Sequence, residues 1–92
     1  MALDFEWDPR KAAANLRKHR LGFPEATTAF GDPLSITIPD PDHSAAEERL
    51  LLLGRTESGR LVVVAHTERG ANIRILAARL AAPSERRAYE EG

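Results

Sequence analysis

An α+β fold resting on an antiparallel sheet is what this sequence predicts, and three observations predict it. Three apolar runs, Leu50 to Leu53, Leu61 to Ala65 and Ile73 to Leu76, are separated only by Arg55-Thr56-Glu57-Ser58-Gly59 and by Glu68-Arg69-Gly70-Ala71-Asn72. Connections of about five residues make hairpins, because a parallel crossover needs a dozen residues or more. Two helical patterns stand ahead of these runs, and a third, shorter one closes the chain from Pro83 to Glu91. With 92 residues there is length for one compact domain spanning 1–92 and a single core.

The elements follow in order. Leu3, Phe5 and Trp7 alternate with Asp4 and Glu6, the period-two pattern of a half-buried strand. Asp8 then offers a carboxylate to first-turn amides, Pro9 fits the first helical position, and Trp7 can lie back on Ala12 as a staple. The helix is expected to run to about His19, with Gly22 just beyond it, and Lys11, Asn15 and Lys18 then share one polar, cationic face. Phe23, Ala26 or Thr27, and Phe30 mark a shorter helix whose aromatics belong to the core, stopped by Gly31-Asp32-Pro33. Leu34, Ile36 and Ile38 make a strand that ends at Pro39-Asp40-Pro41-Asp42, after which the loop to Ala46 is expected to be mobile.

Composition excludes several functions. There is no cysteine, hence no disulfide, thiolate metal site or thiol nucleophile. His19, His43 and His66 show no paired spacing and the acids form no ligand motif, so no metal or other cofactor is expected. No stretch approaches the roughly 20 apolar residues of a membrane span, and acids at Asp4 and Glu6 interrupt the start, so a cytoplasmic protein without membrane contact is expected. The net charge is only −1, yet the signs are segregated. Arg10, Lys11, Arg17, Lys18 and Arg20 run without an acid, whereas Asp40, Asp42, Glu47 and Glu48 run without a base. Nucleic-acid binding would therefore rest on local clustering.

Phe5-Glu6-Trp7-Asp8, Lys11, Asn15, Lys18-His19, Glu48-Arg49, Gly54, Gly59-Arg60, and Arg74-Ile75-Leu76-Ala77-Ala78-Arg79 through Glu85-Arg86 and Tyr89 together resemble the BrnT toxins across almost the whole chain. The resemblance implies a RelE-like antiparallel sheet with two N-terminal helices and a short C-terminal helix. It also implies the toxin role of a type II toxin-antitoxin system: RNA cleavage that inhibits translation and growth. A BrnA-like antitoxin with a ribbon-helix-helix DNA-binding half would be the partner, touching operator DNA on the toxin's behalf. Two positions depart from the family pattern. Ala77 stands where a Ser is usual, for which a packing or turn role is expected, and Ala82 replaces a Thr that would complete a capping box with Glu85.

Metal-independent RNA cleavage needs a proton acceptor, a proton donor and cations facing the phosphorane. Arg49, Arg74 and Arg79 are the phosphate candidates, since a guanidinium in an apolar strand is costly unless it has a purpose. Inter-strand ion pairs are the alternative for all three. Arg74 and Arg79 lie five apart and so point to opposite faces of a regular strand, sharing a site only if the strand bends or ends before Arg79. Glu48 and His66 are the acid-base candidates, although His66 shares parity with Val62 and Val64 and so suits a core as well. Lys11, Lys18, His19, Arg60 and Tyr89 complete the set as RNA-binding candidates, with His19 able to join the chemistry if the first helix docks beside the open sheet face. Two other readings compete with catalysis. One is an inactive binding module or corepressor acting through the antitoxin, and the other is a purely structural subunit, to which loss of Arg74 or Arg79 would be harmless.

Overall fold

The computed structural model describes residues 4–42 and 48–92. Along the described chain run β1 (Asp4–Glu6), α1 (Pro9–His19), α2 (Phe23–Thr28) with a 3-10 turn over Ala29–Gly31, β2 (Ile36–Pro39), β3 (Leu50–Arg55), β4 (Leu61–Arg69), β5 (Asn72–Leu80) and α3 (Pro83–Glu91). The strands form one sheet in the order β1-β5-β4-β3-β2. β3, β4 and β5 pair antiparallel as their short connections require, β2 also pairs antiparallel with β3, but β1 pairs parallel with β5. The sheet is therefore mixed: β1 reaches β5 only after the whole intervening chain, a separation that the hairpin argument does not govern.

Each helix starts as its residues dictate. Asp8 accepts a hydrogen bond from the Arg10 amide at 2.8 Å, and Pro9 follows. The first helix runs to His19, as its residues lead one to expect; its C-cap is Arg20, whose φ of 55° is left-handed, and Gly22 just beyond it opens α2 as N-cap. Left-handed backbone costs a non-glycine residue roughly 1–2 kcal/mol. Here the Arg60 guanidinium holds the Arg20 carbonyl at 3.1 Å. Leu34 lies in the turn before β2, with its amide on Asp32, instead of opening the strand. The reading of the loop to Ala46, with His43 and Glu47, falls on residues 43–47, which lie outside the described residues.

α1 and α2 cover one face of the sheet. Leu21, Phe23, Ala26 and Ala29 pack there against Leu52, Val62, Val64, Ile75 and Ala78. Gly54 belongs to this closeness, because a Cβ on it would stand 3.1 Å from the Ala29 carbonyl oxygen. The other face carries Ile36, Ile38, Leu51, Leu53 and Val63, which α3 crosses. Inner and outer faces are thus distinct in what covers them.

One irregularity sets the site. Ala65 stands opposite Ala77 and His66 opposite Ile75, so Leu76 is an extra residue in β5. This bulge shifts the alternation by one. Ile75 and Ala78, three apart, both face the core, and Arg74 and Arg79 come to the same outer face. The strand neither ends nor needs to end before Arg79.

Candidate functional site

β1 pairs with β5 only as far as Arg74, leaving the rest of that edge to α1. Asn15 makes the junction. Its Oδ1 accepts from the Ala78 amide at 3.0 Å, and its Nδ2 donates to the Leu21 carbonyl at 3.0 Å. Asn15 is therefore buried and belongs to no solvated face; the cationic face read from the helical spacing is split around it. Lys11 and Lys18 remain exposed on either side of it along the helix.

This docking brings α1 to the rim of the outer face. Lys11, Lys18 and His19 border a cleft of about 240 Å³ with Leu76 and Ala77. A second, adjoining hollow of about 100 Å³ lies between His19 and Arg79, floored by Leu51, Val63, Ala65 and Ala77. His19 and Ala77 are common to both. Ala77 is exposed, with its side chain on this floor, and takes no part in the core or a turn, contrary to the packing role expected for that position. Its place on this floor left no mark in the sequence beyond the family departure, because an alanine between Leu76 and Ala78 reads as core.

Arg79 is held from the opposite side. Its two terminal nitrogens each meet a Glu85 carboxylate oxygen at 2.8 Å, a two-pronged pair half open to solvent. The pair pushes the arginine's pKa up and holds the Glu85 carboxyl below its usual range. Glu85 also accepts from the Ala82 amide at 2.7 Å. Half of a capping box therefore survives; the reciprocal half is impossible, since alanine has no acceptor.

The other candidates are dispersed. Arg74 shares the outer face but lies at the β1 end, 2.9 Å from Glu6. Hydrogen bonds from Asn72 first and Arg74 second lower the Glu6 pKa. Glu48 is exposed just before β3, and its backbone carbonyl accepts from the Thr67 hydroxyl at 3.0 Å. Arg49 enters β3 with its Nε buried and without a hydrogen-bond partner among the described residues. His66 lies on the inner face, 3% exposed, its ring edge-on to Phe30 and its Nδ1 3.1 Å from the Val64 carbonyl. Burial lowers its pKa. The sheet thus separates His66 from Arg74 and Arg79, as its parity with Val62 and Val64 had allowed.

Arg60 and Tyr89 are engaged in structural contacts. Arg60 clasps Glu25 through Nε at 2.9 Å and a terminal nitrogen at 2.7 Å. With Ser58 and Thr56 also donating, Arg60 foremost, the Glu25 pKa falls to about 2. Tyr89 donates its hydroxyl to Asp32 at 2.6 Å beneath the Arg55 guanidinium, 5.4 Å from the ring centre. The bond to Asp32 pushes the phenol's pKa up. Among the described residues no cluster of metal-ligating side chains occurs, and no helix is long and apolar enough to cross a membrane.

Comparison with known proteins bears on this geometry. A family described as "Ribonuclease toxin, BrnT, of type II toxin-antitoxin system" matches residues 7–85. The fold is similar to the crystal structure of the Brucella abortus ribonuclease toxin BrnT, with a TM-score of 0.68 at 20% identity over 88% of this chain and 99% of that one. No curated protein matches the sequence.

Proposed function

The chain belongs to the BrnT family of ribonuclease toxins of type II toxin-antitoxin systems, and from that membership we propose that it is an endoribonuclease whose site is the outer-face hollow between His19 and Arg79. The observation that carries the reading is this juxtaposition: an imidazole and a guanidinium across one small cavity, with Lys11 and Lys18 on the adjoining cleft. In the reaction the ribose 2′-hydroxyl attacks the neighbouring phosphorus, the bond to the 5′-oxygen breaks, and a 2′,3′-cyclic phosphate results. His19 exchanges a proton with the hydroxyl or the leaving oxygen, a task an imidazole can perform in either direction. Arg79 faces the charge that builds on the phosphorane, while Lys11 and Lys18 hold the flanking backbone. Arg74, on the same face but beyond this hollow, extends the cationic track.

The same reading makes a BrnA-like antitoxin the partner that covers this face, with growth arrest by blocked translation when it is missing. Binding without cleavage is the second reading, favoured by the saturation of Arg79 by Glu85. Cleavage of a single-stranded RNA by the purified chain in excess EDTA separates the two. Expected are cyclic-phosphate products, losses of about 100–1,000-fold in rate for Arg79→Ala and His19→Gln, and unchanged melting curves. RNA left intact by a folded wild type would remove the enzymatic reading.

A further inference from the structure

α3 is attached to the rest of the fold in an unusual way. None of its residues is buried, and Ser84, Glu85 and Ala88 are the side chains it turns into the apolar groove of the outer face. Beneath it a groove of about 250 Å³ stays open between these side chains and Ile36, Ile38, Leu51, Leu53 and Val63. A helix without a buried apolar stripe gains little from packing. What holds it is polar and sits at its two ends: Arg79 on Glu85, and Asp32 with Arg55 on Tyr89. The family match ends at residue 85, in the first turn of this helix.

The first of those two contacts sits on the proposed site. A carboxylate gripping a guanidinium with two parallel bonds uses the geometry with which arginine grips phosphate. Glu85 therefore occupies the position at Arg79 that a phosphate would take. We propose that α3 is an autoinhibitory strap: Glu85 is an internal phosphate surrogate on Arg79, Tyr89 on Asp32 is the latch that keeps the strap down, and RNA engages Arg79 fully only when the strap lifts. This rests on the reading of the hollow as an RNA site. The apparent affinity is then the intrinsic one multiplied by the fraction of molecules with the strap raised.

Full-length wild type, Glu85→Gln, Tyr89→Phe and Arg79→Ala are titrated with a short single-stranded RNA made uncleavable by 2′-O-methyl riboses, and hydrogen exchange of the α3 amides is followed without RNA. Gln keeps the acceptor for the Ala82 amide but loses the charge, and Phe keeps the ring beneath Arg55, so neither change threatens the fold. Expected are tighter binding by about 3–10-fold for both Glu85→Gln and Tyr89→Phe, faster α3 exchange in both, and weaker binding for Arg79→Ala. Faster exchange with unchanged or weaker RNA binding in Glu85→Gln and Tyr89→Phe, while Arg79→Ala still weakens it, overturns the strap and leaves the site standing. RNA bound by none of the four proteins overturns both.

Discussion

The two faces of the sheet are built on different terms. The inner face is closed: Phe23 and Leu21 are fully buried, Phe23 meets Trp7 edge-on at 5.9 Å, and the polar groups that enter, Asn15 and His66, are engaged by backbone atoms of the chain. The outer face is open. Its hollows remain unfilled, its helix has no buried residue, and its charges meet one another at the rim. The difference teaches that stability rests on one side of the sheet and the proposed chemistry on the other, with the β5 bulge fixing which residues go where. Substitutions on the two sides are expected to separate accordingly.

The sharpest break comes from Phe23→Ala. Removing a fully buried ring costs about 3–5 kcal/mol, a large share of the roughly 5–15 kcal/mol that a whole domain possesses. Urea unfolding is expected to show that loss, while the folded fraction keeps its cleavage rate, the reverse of Arg79→Ala. A loss below about 1 kcal/mol would mean that the helices do not form the core side.

Asn15→Leu tests the seam between the faces. Leucine fills similar space but leaves the Ala78 amide and the Leu21 carbonyl without their partner, at about 1–3 kcal/mol for each buried group. The expected result is a melting temperature lower by about 10–20 °C. RNA binding in the folded protein should fall less than in Lys11→Ala or Lys18→Ala, because Asn15 does not face the cleft as a charge.

A smaller effect is expected from pH. Glu25, held at about 2 by Arg60 first and then Ser58, starts from an ordinary value of 4.5. The unfolded chain therefore takes up the proton before the folded one does. The stabilisation is complete above the unfolded value and drains as pH falls from about 4.5 toward 2, amounting to about 1–2 kcal/mol once solvent screening of this half-exposed pair is allowed for. Urea unfolding from pH 6 to pH 2.5 measures it. In Arg60→Met, which keeps the stem without the guanidinium, that part of the slope is expected to shrink to what the Ser58 and Thr56 hydroxyls hold; an unchanged slope would place it on other carboxylates.

How far the sequence discloses this molecule depends on the range of the interactions. Helix starts and hairpins are local, and Asp8-Pro9 and the two short connections around β4 announce them. Burial of His66 was legible in its parity with two valines. The bulge was not, since Leu76-Ala77-Ala78 holds no glycine or proline to mark it and only the pairing with Ala65 and His66 reveals it. Arg60 read as an RNA contact because its partner, Glu25, lies 35 residues earlier and nothing near either residue indicates the pair. Arg74 and Arg79 stand out in the sequence as charges in apolar strands, and each meets a carboxylate, but whether they share a face turns on one extra residue that alternation alone cannot supply.

The finest test of the two-face division is Ala77→Ser. The side chain at this position is exposed and opposite Ala65, on the floor shared by the His19–Arg79 hollow and the lysine cleft. A hydroxyl there meets solvent when the site is empty, so stability should move by no more than about 0.5 kcal/mol. With RNA in place the same hydroxyl can donate to a phosphate oxygen, and one neutral hydrogen bond of about 0.5–1.5 kcal/mol corresponds to about a 2–12-fold gain. The expected pair of results is therefore an unchanged melting curve and faster cleavage. Were the position a packing site, as its neighbours in sequence imply, the order would invert: the melting curve would shift while cleavage stayed the same. Because Ala77 is reached only through the bulge, that inverted result would also count against the assignment of Arg79 to the outer face.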